Sequence, residues 1–369
     1  MKCCPNCFKD KLAKELVFSL AEEDQGKCDF CGARVGRLLE VTPESELAEQ
    51  LGDLLSVFSV ANSEEGSYPS LFDAFIETWS IFESESKVAF NSMIRALFPN
   101  NTSINELLSE SVCLDPSPSA ENPFQLNFFG SNDWNKFAYS IQHVQRYHAE
   151  IINRGILARL LSALAKEIDQ STGTWYRARR WNGKSENDLS IKELKEPGPD
   201  KAGDGRMTPR GVPCLYISNS VEGAMSEIRA SKYDEVAILS MRPVRKLRIL
   251  DLSRVDEISP FDENVDCKEL ASNIENLRQM KADLVKPMRA SDDPIDYVPT
   301  QYVADFARSI GFDGIGYSSV LHEKDGTPSY NIASFRGFDD AFSECDIALY
   351  RIENFSLQVD LIKSRKQCY

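Results

Sequence analysis

Apolar residues in the first half of the chain recur every three or four positions, whereas those in the second half gather in short runs. Leu47, Leu51, Leu54, Leu55 and Phe58 fall on one helical stripe, the spacing that buries a single face of a helix. Thr42 is placed to cap that helix, and Pro43 suits its first position, where the missing N–H costs nothing. A second helical stretch is predicted from about Leu71 to Phe98, carrying Phe75, Trp79, Phe82 and Phe90, with Pro99-Asn100-Asn101 as its stop. The segment Asp115–Pro123 reads as loop, because each proline lacks a donor and restricts the residue before it. A long helix is predicted from Asn132 to about Ile168, with Ile152, Ile156, Leu160 and Leu164 along its apolar edge.

After Ser171-Thr172-Gly173 the pattern changes. Strand-like runs appear at Cys214–Ile217, Val236–Leu239, Leu247–Leu250, Gly314–Tyr317, Ile332–Phe335, Ala348–Arg351 and Leu357–Asp360, with helices near 221–230, 267–286 and 300–310. Short strands mixed with irregular helices predict an α+β fold and not a regular βαβ repeat. The shifts divide the chain into residues 1–40, a helical part at 41–170 and a mixed part at 171–369.

Length agrees with that division, since 369 residues predict two or three domains. The net charge of −15 argues against a long polyanion bound over the whole surface, because such binding rests on neutralising phosphates. Residues 171–250 are the exception, with 15 Lys/Arg against 10 Asp/Glu, and a locally basic stretch in an acidic protein suits a small anionic ligand. No apolar run approaches a membrane span, and MKCCPNCFKD lacks the apolar core of a signal peptide. A cytoplasmic protein with no membrane partner is expected, in which cysteines serve as thiols or metal ligands and not as a disulfide framework.

Cys4-Pro-Asn-Cys7 and Cys28-Asp-Phe-Cys31 are two C-x2-C pairs separated by twenty residues. Each puts two thiolates on one tight turn, and together they predict a zinc ribbon over residues 1–40. Four thiolates leave no open coordination position, so the Zn2+ is expected to be structural. Cys3 is an off-register competitor for Cys4. Zinc ribbons often bind nucleic acid, but Glu15, Glu22, Glu23 and Asp24 flank this one. Cys113, Cys214, Cys267, Cys345 and Cys368 show no pairing logic, and Cys214 reads as a small core hydrophobe. The three histidines, His143, His148 and His322, offer no evident partner for a cysteine nucleophile.

A Gly-rich basic loop, Gly203-Asp204-Gly205-Arg206-Met207-Thr208-Pro209-Arg210-Gly211, leads into the strand that carries Tyr216. Asn219 or Ser220 then caps a helix bearing Glu227, with the small Gly223 and Ala224 one turn before it. Taken singly, Glu227 is a solvated helix glutamate, Arg206 a loop charge, Tyr216 a core residue and Ser318-Ser319 a strand end. Their order along the chain changes this. GRMTPRGVPCLYISNSVEGAMSEIR, DYVPTQYVADFARSIGFDGIGYSS and Asn331-Ile332-Ala333-Ser334-Phe335 together closely resemble the RES domain family over roughly residues 172–340. The N-terminal knuckles and helices resemble the region found on some RES proteins, related to HEPN domains.

The resemblance implies an ADP-ribosyltransferase-like mixed α/β fold and cleavage of the nicotinamide–ribose bond of NAD+, with water, phosphate or a protein as acceptor of ADP-ribose. It implies catalytic roles for Arg206, Glu227 and Ser319, with Ser318 as the register alternative, and NAD+-binding roles for Arg177, Tyr216 and Asn331. Arg206 would grip the pyrophosphate bidentately, Glu227 would hold the ribose hydroxyls and face the cation, Tyr216 would stack on a base, and the serine would orient carboxamide or ribose. NAD+ would be a consumed substrate. The family includes toxins of toxin–antitoxin pairs, which implies a toxin or anti-phage effector, an antitoxin or defence partner, and room for homo-oligomers. Two alternatives stand beside it. One is a HEPN-like ribonuclease, although neither Arg95 nor Arg146 has a histidine four to six residues later. The other is a non-catalytic NAD or nucleic-acid sensor that docks through the zinc ribbon.

Overall fold

Capping side chains decide where the helices of the first half begin. The computed structural model describes residues 1–61, 68–83, 86–114, 124–147, 151–181, 189–286, 293–322 and 328–353. Helices α1 (Lys11–Leu20), α2 (Glu46–Leu55), α3 (Leu71–Trp79) and α4 (Lys87–Leu97) start on Asp10, Ser45, Ser70 and Ser86. Then α5 (Thr102–Ser109), α6 (Trp134–His143) and α7 (Arg154–Ala163) start on Asn101, Asp133 and Asn153. In each case the side-chain oxygen accepts a backbone N–H of the first turn, satisfying a donor the helix leaves orphaned.

These caps correct three expectations. Ser45, not Thr42, caps α2; the Thr42 carbonyl instead accepts the Ser45 hydroxyl at 2.7 Å in the turn around Pro43. The stretch 71–98 is two helices, because the chain turns left-handed at Ser80 (φ 49°) and restarts at Ser86. Phe82 between them is still buried, against Phe8, Phe75 and Phe90, so the apolar spacing survived while the helix did not. The stretch 132–168 is α6, α7 and the strand Ala165–Ile168. Asn153 makes the break by accepting the N–H groups of Gly155 and Ile156 and donating to the Phe124 carbonyl. The loop expected at 115–123, the strand expected at 357–360, His148 and Cys368 lie outside the described residues.

The chain separates into two units, the first of Met1–Lys166 with Leu250–Ile310, the second of Glu167–Ile249 with Gly311–Tyr369. In the first unit, β1 (Lys2–Cys3), β2 (Glu22–Glu23) and β3 (Arg37–Glu40) form a three-stranded sheet in the order β1-β3-β2. Strands β4 (Phe58–Val60) and β5 (Val112–Leu114) pair antiparallel. Helices α10 (Cys267–Val285) and α11 (Val298–Ser309) complete this unit, although they lie far along the chain. On α10, Leu270, Ile274, Leu277, Met280 and Leu284 are buried at helical spacing, as are two asparagines. Asn273 accepts the Phe128 N–H at 2.9 Å and donates to the Leu126 carbonyl, while Asn276 accepts the Trp134 N–H at 3.0 Å. Buried loop backbone must be paired, and these amides do it.

The remaining strands are β6 (Ala165–Ile168), β7 (Trp175–Arg180), β8 (Leu215–Ser218), β9 (Glu235–Pro243), β10 (Leu247–Asp251), β11 (Gly314–His322), β12 (Pro328–Ser334) and β13 (Phe342–Arg351). They form one sheet in the order β13-β9-β7-β8-β12-β11-β10-β6. Side chains alternate between its faces. Trp175, Leu215, Ile217, Leu239, Met241 and Ile332 pack on one face with Leu194 of α8 (Ile191–Leu194) and Phe338 of α12 (Phe338–Ala341). Ala178, Val236 and Ile238 pack on the other with Ala224 of α9 (Val221–Glu227). Strands β7 and β9 pair at six positions, whereas β7 and β8 pair only at Tyr176↔Ser218. The sheet is therefore split between β7 and β8.

Candidate functional site

Helix α9 lies close to the sheet because Gly223 has no side chain. A Cβ there would stand 2.7 Å from the Ser329 Cβ and closer still to the Ser218 hydroxyl. The start of α9 is fixed on β12: Ser220 caps the helix and shares a hydrogen bond with the Ser329 hydroxyl at 3.2 Å. Asn219 exchanges two bonds with the Tyr330 backbone. Of the two expected caps, Ser220 serves. Its last helical residue is Glu227, and Arg229 then turns left-handed (φ 51°).

Glu227 is thereby carried over β11 and β12. Asn331 donates from Nδ2 to Glu227 Oε2 at 3.0 Å, and the Tyr317 hydroxyl donates to the same carboxylate. Tyr317 and Asn331 are direct cross-strand partners, and Asn331 is in turn opposite Ser218 of β8. Glu227 is exposed as a residue, while neighbouring atoms crowd its carboxylate. Lost solvation raises its pKa above the usual carboxylate value, although the Tyr317 and Asn331 bonds and the nearby Arg229 charge all pull it down. Burial and the facing carboxylate push the Tyr317 hydroxyl well above the ordinary phenol value, so it remains a donor.

Tyr216 stands on the same face of the sheet as Ser218, two residues away on β8. Its hydroxyl accepts from the Met207 N–H and the Thr208 hydroxyl, and burial raises its pKa well above the usual value. A Cβ on Gly205 would lie 3.1 Å from that hydroxyl. The tyrosine thus ties the Arg206 loop, between Gly205 and Met207, to the strand leading to Glu227.

Arg177 stands on the opposite face, sharing parity with Trp175. Its Nε donates to the Leu194 carbonyl at 2.6 Å and Nη1 to the Tyr216 carbonyl at 3.2 Å. The guanidinium therefore bridges α8 and the place where β7 and β8 part, and burial lowers its pKa. Ser318 pairs with Tyr330 and, by alternation, faces away from Tyr317. Ser319 follows on β11, and its side chain lies outside the described residues. The structure gathers Glu227, Asn331 and Tyr216, brings the Arg206 loop against Tyr216, and places Arg177 and Ser318 on the other face. Tyr317 was missed by the sequence reading. Its only signal was a place two positions before Ser319, in the stretch DYVPTQYVADFARSIGFDGIGYSS.

The first unit carries a separate cluster. The sulfurs of Cys4, Cys7, Cys28 and Cys31 all lie within 4.8 Å of one another, with Cys4–Cys31 and Cys7–Cys28 at 3.5 Å and Cys4–Cys7 at 3.8 Å. Thiolates around a tetrahedral ion bound at ~2.3 Å stand about 3.8 Å apart, so these four could hold a metal ion. Backbone turns make the knuckles: the Cys7 N–H donates to the Cys4 carbonyl, and the Gly32 N–H (φ 74°) to the Cys28 carbonyl. Cys3 is fully buried and donates to the Cys4 carbonyl at 3.6 Å; the four-sulfur group does not include it.

No helix among the described residues is long and apolar enough to cross a membrane. The model of the RES domain matches residues 174–360 of this chain. Residues 250–310 lie inside that match yet pack in the first unit. Among curated proteins, none matches.

Proposed function

We propose, from the premise that this chain belongs to the RES domain family, that it cleaves the nicotinamide–ribose bond of NAD+ and passes ADP-ribose to water, phosphate or a protein. The observation that carries this reading is the Glu227 carboxylate, held by Asn331 and Tyr317 at the end of α9. As the bond breaks, positive charge moves from the pyridinium to the ribose, and nicotinamide leaves neutral. A fixed carboxylate beside the ribose stabilises charge that grows only in the transition state. Two donors on Glu227 keep its oxygens oriented before reaction, so little reorganisation is needed when the cation forms. The leaving group needs no proton, and the site needs no histidine.

Arg206 is assigned to the pyrophosphate, with Tyr216 anchoring its loop through the phenol oxygen. Arg177 is assigned to shaping the split between β7 and β8, through the two carbonyls it holds. Ser319 is assigned to orienting the substrate. The four cysteines are assigned to a structural Zn2+, since an all-thiolate, closed set leaves no position for substrate. A toxin or anti-phage role, held in check by an antitoxin or defence partner, is proposed on family membership alone.

The test is incubation of the full chain with NAD+, with and without phosphate, and identification of products by mass. Nicotinamide release is expected, falling by about 10²–10³ in Glu227→Gln. Wild-type protein that leaves NAD+ intact with every acceptor would refute the reading. RNA cleavage that persists in Glu227→Gln would support the ribonuclease alternative.

A further inference from the structure

Asn331 is 3% exposed and uses half of its amide. Nδ2 donates to Glu227 Oε2 at 3.0 Å, while Oδ1 is buried with no hydrogen-bond partner among the described residues. An ionised carboxylate only accepts, so the amide nitrogen is the end that must face Glu227. Oδ1 is thereby fixed as an acceptor beside the carboxylate. Buried acceptors are seldom left unmet, and one next to a candidate catalytic group calls for an explanation. The register leaves no freedom to turn the residue away, because Asn331 is pinned between Tyr317 on β11 and Ser218 on β8.

We infer that Asn331 is a specificity-determining residue of this site: one end positions Glu227 while the other is reserved for a neutral N–H or O–H donor of the dinucleotide, beside the bond that breaks. The inference rests on the NAD+ reading above. Two parts of NAD+ near that bond supply such donors, the nicotinamide carboxamide and the ribose hydroxyls. A site built around a buried acceptor rejects analogues that lack the donor far more strongly than an apolar pocket rejects a change of size. An anionic group in the donor's place would meet both Oδ1 and the Glu227 carboxylate.

Two analogues separate the sources: nicotinic acid adenine dinucleotide replaces the carboxamide by a carboxylate, and 2′-deoxyribosyl NAD+ removes one ribose hydroxyl. Wild type should disfavour at least one of them by tenfold or more in kcat/KM relative to NAD+. Asn331→Ala should lose that discrimination for the analogue concerned and keep it for the other. Equal discrimination in wild type and Asn331→Ala would overturn the acceptor role.

The positioning role is read by titration. The charged and titratable groups around Glu227 are Arg229 beyond the end of α9, Tyr317 on β11 and Tyr216 on β8. Asn331→Asp keeps the shape but sets a second carboxylate against the first, so the midpoint of Glu227 should rise by about a unit or more. The acid limb of kcat/KM should move up with it, whereas a merely structural defect would lower the rate at every pH. The Glu227 midpoint, followed by NMR of carboxyl-labelled full-length protein without substrate, distinguishes the two claims. If wild type releases no nicotinamide but the midpoint rises in Asn331→Asp, the NAD+ reading fails and the pairing stands. An unmoved midpoint would overturn the pairing.

Discussion

Four sulfurs near the N-terminus come from two stretches of four residues, Cys4–Cys7 and Cys28–Cys31. The groups around Glu227 come from β8, α9, β11 and β12, between Tyr216 and Asn331. In the first cluster each turn already holds two sulfurs, and the proposed metal ion has only to join two preformed halves. In the second no element carries more than one or two of the groups, so their geometry is a property of strand pairing. The first site is organised by local backbone turns, and the second by register.

The difference predicts how each site fails. The largest effect is expected from Cys28→Ser, which removes a buried ligand from the cysteine cluster. Binding of a structural zinc is worth on the order of 10 kcal/mol to a domain of this kind, and it is folding energy. Bound zinc should fall from about one equivalent to none, with lost hydrogen-exchange protection in β1–β3. Metal analysis and exchange together check this; a variant that stays metal-free and fully protected would contradict the structural role.

Gly223→Ala should act on the other site without touching a polar group. The new methyl meets Ser329 and Ser218, and overpacking of this kind costs about 1–3 kcal/mol. A lower Tm together with lost nicotinamide release is expected, because α9 cannot move off the sheet without carrying Glu227 away from Asn331 and Tyr317. Unchanged activity would show that the register of α9 does not matter.

The smallest effect is on stability against pH. Glu227 has a raised pKa in the folded chain, so the folded state holds its proton more tightly than the unfolded state does. Its contribution is therefore most favourable at low pH and is lost as pH rises from the ordinary carboxylate value through the folded one. Activity runs the other way, since the ionised form is the one that stabilises the cation, and its acid limb should lie above the usual carboxylate range. Glu227→Gln should remove the stability slope, read as unfolding midpoints across that window, and lower turnover to the extent given above. A slope that persists in Glu227→Gln would assign it to another group.

Much of this was readable in the sequence, and the exceptions have causes. The C-x2-C spacing and the turn-forming Gly32 placed the cysteine cluster, because cysteines three positions apart can share a turn. The ordered motifs placed Glu227, Tyr216 and Asn331, and the structure gathers them. Helix ends were misplaced where a cap outweighed periodicity, at Ser45, Ser80 and Asn153. Periodicity reports which side is buried, and it continues through a break if the next element returns to the same core, as Phe82 does.

What the sequence by itself determined is local: the knuckles, the caps of Asp, Ser and Asn, the alternation of each strand, and the glycine that lets α9 approach. What only tertiary structure decided is which alternating faces meet. Tyr317 joins Glu227 because β11 pairs with β12 in the register Tyr317↔Asn331, and Arg177 falls on the far face by the same alternation. Residues 250–310 complete the first unit from within the matched span for a similar reason. Buried apolar faces and backbone donors seek partners in space, and distance along the chain places little constraint on where they find them.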